Sequence, residues 1–233
     1  MSGFAFKQFK VQQSNTAMKV STDGILLGAW ANLSGANRLL DIGCGTGLLS
    51  LMCKQRAPDL EIEAVEIDEG AYTDAFANIW HSPWPDIQLH QGDIRTFNTT
   101  ETFDVVICNP PYFNGSLKGP NQARNTARHT DSLSFDALIS AFIRVSHPRS
   151  RFILILPIEE AQRLLCIAMT EGMHLQRECL VSSTENKAPS RRLLELSYTP
   201  CHDPITESLA IKHTNQQYTD DYVALCKAFY LKM

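Results

Sequence analysis

The stretch Arg38-Leu39-Leu40-Asp41-Ile42-Gly43-Cys44-Gly45-Thr46-Gly47 constrains this chain more than any other. A short apolar strand ends there, glycines follow at 43, 45 and 47, and Leu48, Leu49, Leu51 and Met52 continue as a helix. Glycine adopts positive φ without a Cβ penalty and lets a ligand approach the backbone closely. A strand-to-helix turn built from three glycines therefore reads as a ligand cradle. The helix N-terminus beyond it offers N–H groups with no partner inside the helix. The sixth-position glycine of the dinucleotide fingerprint is missing, which points away from a pyrophosphate and toward a smaller nucleoside ligand. Asp41, Gly43, Cys44 and Gly45 are the candidate contacts.

The same rhythm recurs downstream. Ile62-Glu63-Ala64-Val65-Glu66-Ile67-Asp68 is a strand ending in acids, and Glu66 lies 19 residues beyond Gly47. An acid about 20 residues after such a turn grips ribose hydroxyls, because a carboxylate accepts hydrogen bonds from both. Glu66 is the preferred ribose ligand, with Ile67 beside it, and Asp68 the preferred cap of a helix over residues 71–80. Residues 87–94 form a third strand ending in Gly92-Asp93-Ile94. Asp93 is placed to accept from an adenine amino group while Ile94 lines the ring; alternatively Asp93 caps the next segment. Phe103 to Ile107 is the apolar run of a fourth strand, ending in Cys108-Asn109-Pro110-Pro111-Tyr112. That ending looks like a device for holding a planar amine.

Strand, glycine turn, helix, strand, acid, helix, strand, acid, strand predicts an α/β fold. The expected architecture is a doubly wound, mostly parallel, seven-stranded sheet with helices on both faces. Ligands in such sheets sit at the carboxyl ends of the strands, where Asp41, Glu66, Asp93 and Asn109 all fall. Residues 134–147 and 159–169 read as helices and 152–156 as a buried strand. Residues 174–181 and 192–198 form an antiparallel C-terminal hairpin, residues 205–212 are a candidate further strand, and residues 219–230 a closing helix. A chain of 233 residues fits one domain. Within it, residues 1–35 are expected to cover the cofactor, 36–157 to bind it, and 158–233 to complete the sheet. Near the start, Thr22 or Asp23 caps a helix whose apolar positions are Ile25, Leu26, Ala29, Trp30 and Leu33. Lys19 and Thr22 precede those positions, within reach of a ligand.

Composition excludes several classes. No apolar run approaches the length of a membrane span. The seven cysteines are odd in number and widely spaced, without a C-x-x-C pair, so neither a metal site nor a disulfide framework is signalled and a reducing cytoplasm is expected. The net charge of −4 conceals segregation: nine of the 21 Lys and Arg residues fall in residues 1–20, 109–130 and 186–194, which contain no acid. Such segregation makes a basic face on an acidic body.

These residues resemble a class I S-adenosylmethionine-dependent methyltransferase. Asp41 to Gly47 matches the cofactor loop, Glu66 the ribose acid, Gly92-Asp93 the adenine contact, and Asn109 to Tyr112 the signature of enzymes that methylate nitrogen conjugated to a ring or carbonyl. The stretch from Phe9 through Met18-Lys19-Val20-Ser21-Thr22-Asp23-Gly24 to Trp30 is similar to the bacterial tRNA1(Val) adenine-N6-methyltransferase family, as are the Ala-Arg pairs before His129 and the terminal Ala228-Phe229-Tyr230-Leu231.

The resemblance implies S-adenosyl-L-methionine as cofactor and tRNA as partner, with the adenine beside the anticodon as target. No membrane and no metal are expected, and the chain is expected to act as a monomer or weak dimer. The Asn109 side-chain oxygen and the Pro110 carbonyl would accept the two N–H bonds of the amine, and Tyr112 would stack on the base. Asn109 would also border the cofactor. Lys118, Arg124, Arg128, Lys187, Arg191 and Arg192 are the expected phosphate contacts. A protein glutamine amide, a ribosomal RNA base, and a non-catalytic RNA-binding module are the alternatives.

Overall fold

The computed structural model describes residues 3–111 and 133–233. Tyr112, Lys118, Arg124 and Arg128 lie outside the described residues. The chain opens with a hairpin of β1 (Gly3–Ala5) and β2 (Lys10–Gln12), followed by α1 (Thr22–Trp30). Strands and helices then alternate: β3 (Arg38–Ile42), α2 (Leu48–Arg56), β4 (Glu61–Glu66), α3 (Glu69–Trp80), β5 (Gln88–Gln91) and β6 (Phe103–Cys108). After residue 133 come α4 (Phe135–Val145), β7 (Ser146–Pro157), α5 (Ile158–Thr170), β8 (His174–Thr184), β9 (Arg191–Ser197), β10 (Ile205–Lys212) and α6 (Asp220–Cys226).

Strands β3 to β10 form one sheet in the order β10-β8-β9-β7-β6-β3-β4-β5. The count is eight rather than seven, because residues 205–212 do pair, parallel to β8. The C-terminal hairpin is present as the antiparallel β8–β9 pair, and β9 also runs antiparallel to β7. The other neighbours are parallel. The chain leaves β3 on one side toward β4 and later returns on the other side as β6. That reversal opens a crevice above the carboxyl ends of β3 and β6.

Period-two side-chain alternation sorts the central strands between two apolar layers. Val105 and Ile107 of β6 join Ile25 and Leu26 of α1 and Leu51 of α2 on one face. Val106 and Cys108 join Leu138 and Phe142 of α4 and Leu164 of α5 on the other. Helix α1 is buried along its whole length from Gly24 to Trp30, so it is a core helix rather than one with a single apolar stripe. It approaches α2 closely at Gly28, where a Cβ would stand 2.8 Å from the Met52 Sδ.

The cap of α1 corrects an expectation. Ser21, not Thr22 or Asp23, is the N-cap: its backbone is extended and its Oγ accepts the Gly24 N–H at 3.2 Å. The Asp23 carboxylate instead pairs with Arg191 at 2.7 Å.

Phe142 and Phe152, both fully buried, stack with ring centroids 4.7 Å apart and tie α4 to the sheet. Phe142→Ala is expected to lower unfolding free energy by about 3–5 kcal/mol through lost burial and a cavity, read as a reduced denaturant midpoint.

Candidate active site

The crevice holds a cavity of about 290 Å³. Its floor is the glycine turn, in which Gly43, Gly45 and Gly47 have φ of +66, +58 and +78°. All three lie in the left-handed region, where side chains other than glycine are strained. No described residue stands within 4 Å of where a Cβ of Gly43 or Gly45 would be, so the turn presents open backbone to the cavity.

Glu66 anchors that turn. One carboxylate oxygen accepts the Gly45 N–H at 2.8 Å and the other the Asp68 N–H at 2.8 Å. A carboxylate has about four acceptor positions, so two remain for a diol. Asp68 caps α3 by accepting the Ala71 N–H at 2.8 Å, as expected from its place in the sequence. Ile67 projects into solvent at 60% exposure on the cavity wall, while Ile94 is buried there. Asp93 also lines the cavity, held by Arg95: the Arg95 Nε donates to its two oxygens at 3.0 and 2.8 Å, and the Arg95 backbone N–H donates at 2.9 Å. The Arg95 hydrogen bonds pull the Asp93 carboxyl below its usual range.

Asn109 and Pro111 form the wall nearest β6. The Asn109 Oδ1 is buried and has no hydrogen-bond partner among the described residues. A buried amide oxygen without a donor is costly unless something arrives to supply one. Its Nδ2 lies near the first turn of α1, 3.9 Å from where a Cβ on Gly24 would stand.

The opposite wall, Thr16-Ala17-Met18, has no strand or helix pattern in the sequence. It is laid down by two polar residues of α3. The Asp74 carboxylate accepts the backbone N–H groups of Asn15 at 2.8 Å and Thr16 at 2.9 Å. Asn78 pairs with the Gln12 backbone in both directions, at 2.7 and 2.8 Å. The available signal was a pair of buried polar residues four apart on one helix face. Arg95, also in the wall, was missed because its role comes from Asp93 two residues earlier.

Several expected contacts sit elsewhere. The wall ends at Met18, Lys19 is exposed outside the lining, and Thr22 borders a different cavity. Cys44 turns its side chain into an apolar cluster with Ala64 and Ala75, and burial raises its thiol well above the ordinary range. Asp41 is fully buried below the turn, where one oxygen accepts the Ser50 N–H at 3.1 Å and the Ser50 hydroxyl at 2.6 Å. It supports the turn from beneath and does not line the cavity.

Of the expected phosphate contacts within the described residues, Arg191 pairs with Asp23 and Arg192 with Glu178. Arg192 is only 14% exposed. Lys187 is exposed, with no ion pair among the described residues. No group of acids, histidines and cysteines among the described residues is arranged to hold a metal, and no helix among them is long and apolar enough to cross a membrane.

Burial pushes the Asp41 carboxyl from 3.8 up to about 7, against the Ser50 hydrogen bonds that lower it, and the Glu66 charge adds to the rise. A raised carboxyl binds its proton more tightly folded than unfolded, so its stabilisation is lost as pH rises from about 4 to about 7 and the loss is complete above that range. Asp41→Asn should therefore gain stability relative to wild type across this window, by up to about 4 kcal/mol, in denaturant titrations at a series of pH values. A pH-independent difference would contradict the assignment.

Comparison with known proteins gives the chain a family and a fold. The methyltransferase small domain model matches residues 22–131. The chain is 62% identical over its full length, and that of the relative, to a tRNA1(Val) (adenine(37)-N6)-methyltransferase of Pseudoalteromonas translucida. Among solved structures, a predicted O-methyltransferase from Agrobacterium tumefaciens superposes with a TM-score of 0.68 at 16% identity, covering 89% of this chain and 96% of that one. The glycopeptide N-methyltransferase MtfA complexed with (S)-adenosyl-L-methionine superposes with a TM-score of 0.57 at 14% identity, covering 78% and 90%.

Proposed function

Because the chain belongs to the tRNA1(Val) (adenine(37)-N6)-methyltransferase family, we propose that it methylates N6 of adenine 37, beside the anticodon of tRNA1(Val). Its cofactor is S-adenosyl-L-methionine, which when bound supplies an electrophilic methyl group on a sulfonium sulfur. The residues present fit that group. The open glycine turn offers backbone to it, the spare acceptor positions of Glu66 suit ribose hydroxyls, and Ile67, Asp93 and Ile94 flank the space for the adenine. Residues 1–35 act as a cover through Thr16, Ala17 and Met18.

The observation that carries the reading is the buried Asn109 Oδ1, which has no hydrogen-bond partner among the described residues. An exocyclic aromatic amine is a poor nucleophile because its lone pair is delocalised into the ring. Two acceptors that bind its N–H groups hold the nitrogen in place and favour localisation of the lone pair. Asn109 Oδ1 is one such acceptor, already desolvated, and the Pro110 carbonyl is the other. Proline at 110 and 111 restricts the backbone, so the pair needs little reorganisation when the base arrives. No strong base is required, since the amine proton is acidic once the nitrogen carries a fourth substituent. Tyr112, next along the chain, stacks on the base.

A base in an anticodon loop is partly unpaired, so extruding it costs less than from a duplex. The acid-free basic stretches favour RNA over a protein glutamine amide. The phosphate contacts include Lys187 together with Lys118, Arg124 and Arg128; Arg191 and Arg192 contribute only by exchanging their present carboxylate partners.

Asn109→Ala should reduce single-turnover methyl transfer to tRNA by about 10²–10³-fold, while S-adenosylmethionine affinity by calorimetry changes far less. Near wild-type transfer by this variant would overturn the role of Asn109.

A further inference from the structure

A second cavity, of about 520 Å³, opens at the carboxyl ends of β8 and β10, with Thr22 of α1 in its wall. Strands β6, β7, β8 and β10 all point the same way, with only β9 reversed between them. The cavity therefore shares the sheet edge of Asn109. Three strand spacings, roughly 14 Å, separate the ends of β6 and β8 along that edge.

Its chemistry differs from that of the cofactor site. Lys187 and Lys212 line it, with no carboxylate among its described lining residues, in a chain of net charge −4. Neither lysine has an ion pair among the described residues. The acids nearest in sequence are outside the lining: Asp23 pairs with Arg191, Glu185 with His213 at 2.8 Å, and Asp220 and Asp221 occupy the first turn of α6. The hydroxyl-bearing Thr22 and Ser183 and the ring of Tyr218 are among its other lining residues. Tyr218 is 45% exposed yet anchored, bridged through its backbone to Lys212 and packed on Tyr222 at 5.1 Å between centroids. The Lys212 Nζ lies 5.6 Å from the Tyr218 ring centroid.

Ammonium groups without an ion pair among the described residues, hydroxyls and an anchored exposed ring match a phosphodiester and the π-face of a base. We propose that this cavity binds the single-stranded RNA flanking the target base, with Lys187 and Lys212 on phosphates and Tyr218 stacked on a base. The inference rests on the proposed tRNA substrate and adds where the strand runs: from Asn109 across the sheet edge, past the start of α1, to β8 and β10. Sequence charge counting included Lys187 but not Lys212 or Tyr218, which lie outside its basic stretches.

The test is the Lys187→Gln/Lys212→Gln double variant of the full chain, with tRNA lacking the modification. Two lost phosphate contacts at about 0.7 each should make the log–log salt slope of tRNA binding shallower by about 1.4, and raise KM for tRNA about tenfold or more. The kcat at saturating tRNA and the affinity for S-adenosylmethionine should stay near wild type. Tyr218→Ala should raise KM without changing the salt slope, since stacking displaces no counterions. Ultraviolet crosslinking of the unaltered protein to tRNA should place a nucleotide on the peptide containing Tyr218, independently of whether the variants fold. Wild-type KM and salt slope in the double variant, or crosslinks confined to other peptides, would overturn the inference while leaving the methylation reaction intact. Failure of the unaltered protein to methylate any tRNA would instead contradict the reading beneath it.

Discussion

At the end of β4 the Glu66 carboxylate accepts one backbone N–H on each oxygen, from Gly45 of the glycine turn and from Asp68 at the start of α3. This clamp joins the two turns that flank the crevice. Its three glycines lie at left-handed φ, and no described residue fills the space beside Gly43 and Gly45, so the turn is held by bonds to its backbone: the Glu66 clamp, the Gly43 and Cys44 N–H groups on the Val65 carbonyl, and Asn78 donating to the Thr46 carbonyl. Charge-assisted bonds to backbone N–H groups are stronger than neutral ones and offset the cost of a mostly buried acid. The same carboxylate retains acceptor positions toward the cavity. One residue thus shapes the cradle and lines the cavity above it.

The reacting edge is assembled around this clamp by segments distant in sequence. Asp74 and Asn78 of α3 carry residues 12–16 across the helix, and the chain then passes Thr16, Ala17 and Met18 along the cavity before Ser21 starts α1. The fit is tight at Gly70, where a Cβ would stand 2.7 Å from the Asn15 carbonyl oxygen. Helix α1 then runs through the core, with its first turn beside Asn109. The first cavity's wall at residues 16–18, the core helix and Asn109 are therefore consecutive in space, and the second cavity begins at Thr22 on the same turn.

The parallel sheet and its ligand edge could be read from the sequence because they rest on local signals. Glycines at 43, 45 and 47, an acid at 66 and Asn109 after an apolar run each mark a strand end without reference to distant residues. What escaped was long-range. The strands β1 and β2 span three residues each, too short for alternation to show. Phe4 of β1 and Phe6 just after it pack onto Tyr230, joining the N-terminal hairpin to the C-terminal segment. Ser21, Thr22 and Asp23 all have N-cap chemistry, and the choice of Ser21 accompanies an ion pair between Asp23 and Arg191, 168 residues on. Arg192 belongs to a basic stretch in the sequence, but its partner Glu178 lies on the neighbouring strand, 14 residues away. Asp41 stood at a strand end like its fellows, but the inward half of its alternation put it against Ser50 instead of the cavity.

The central claim is that this edge joins a methyl donor to an adenine amine in RNA. It is tested most directly by incubating the protein with isotopically labelled S-adenosylmethionine and bulk tRNA lacking the modification, then digesting the RNA and identifying labelled nucleosides by mass spectrometry. The account predicts label in N6-methyladenosine alone, mapping to the adenine beside the anticodon of tRNA1(Val). Label in a different nucleoside, or none in tRNA with transfer to protein instead, would contradict it.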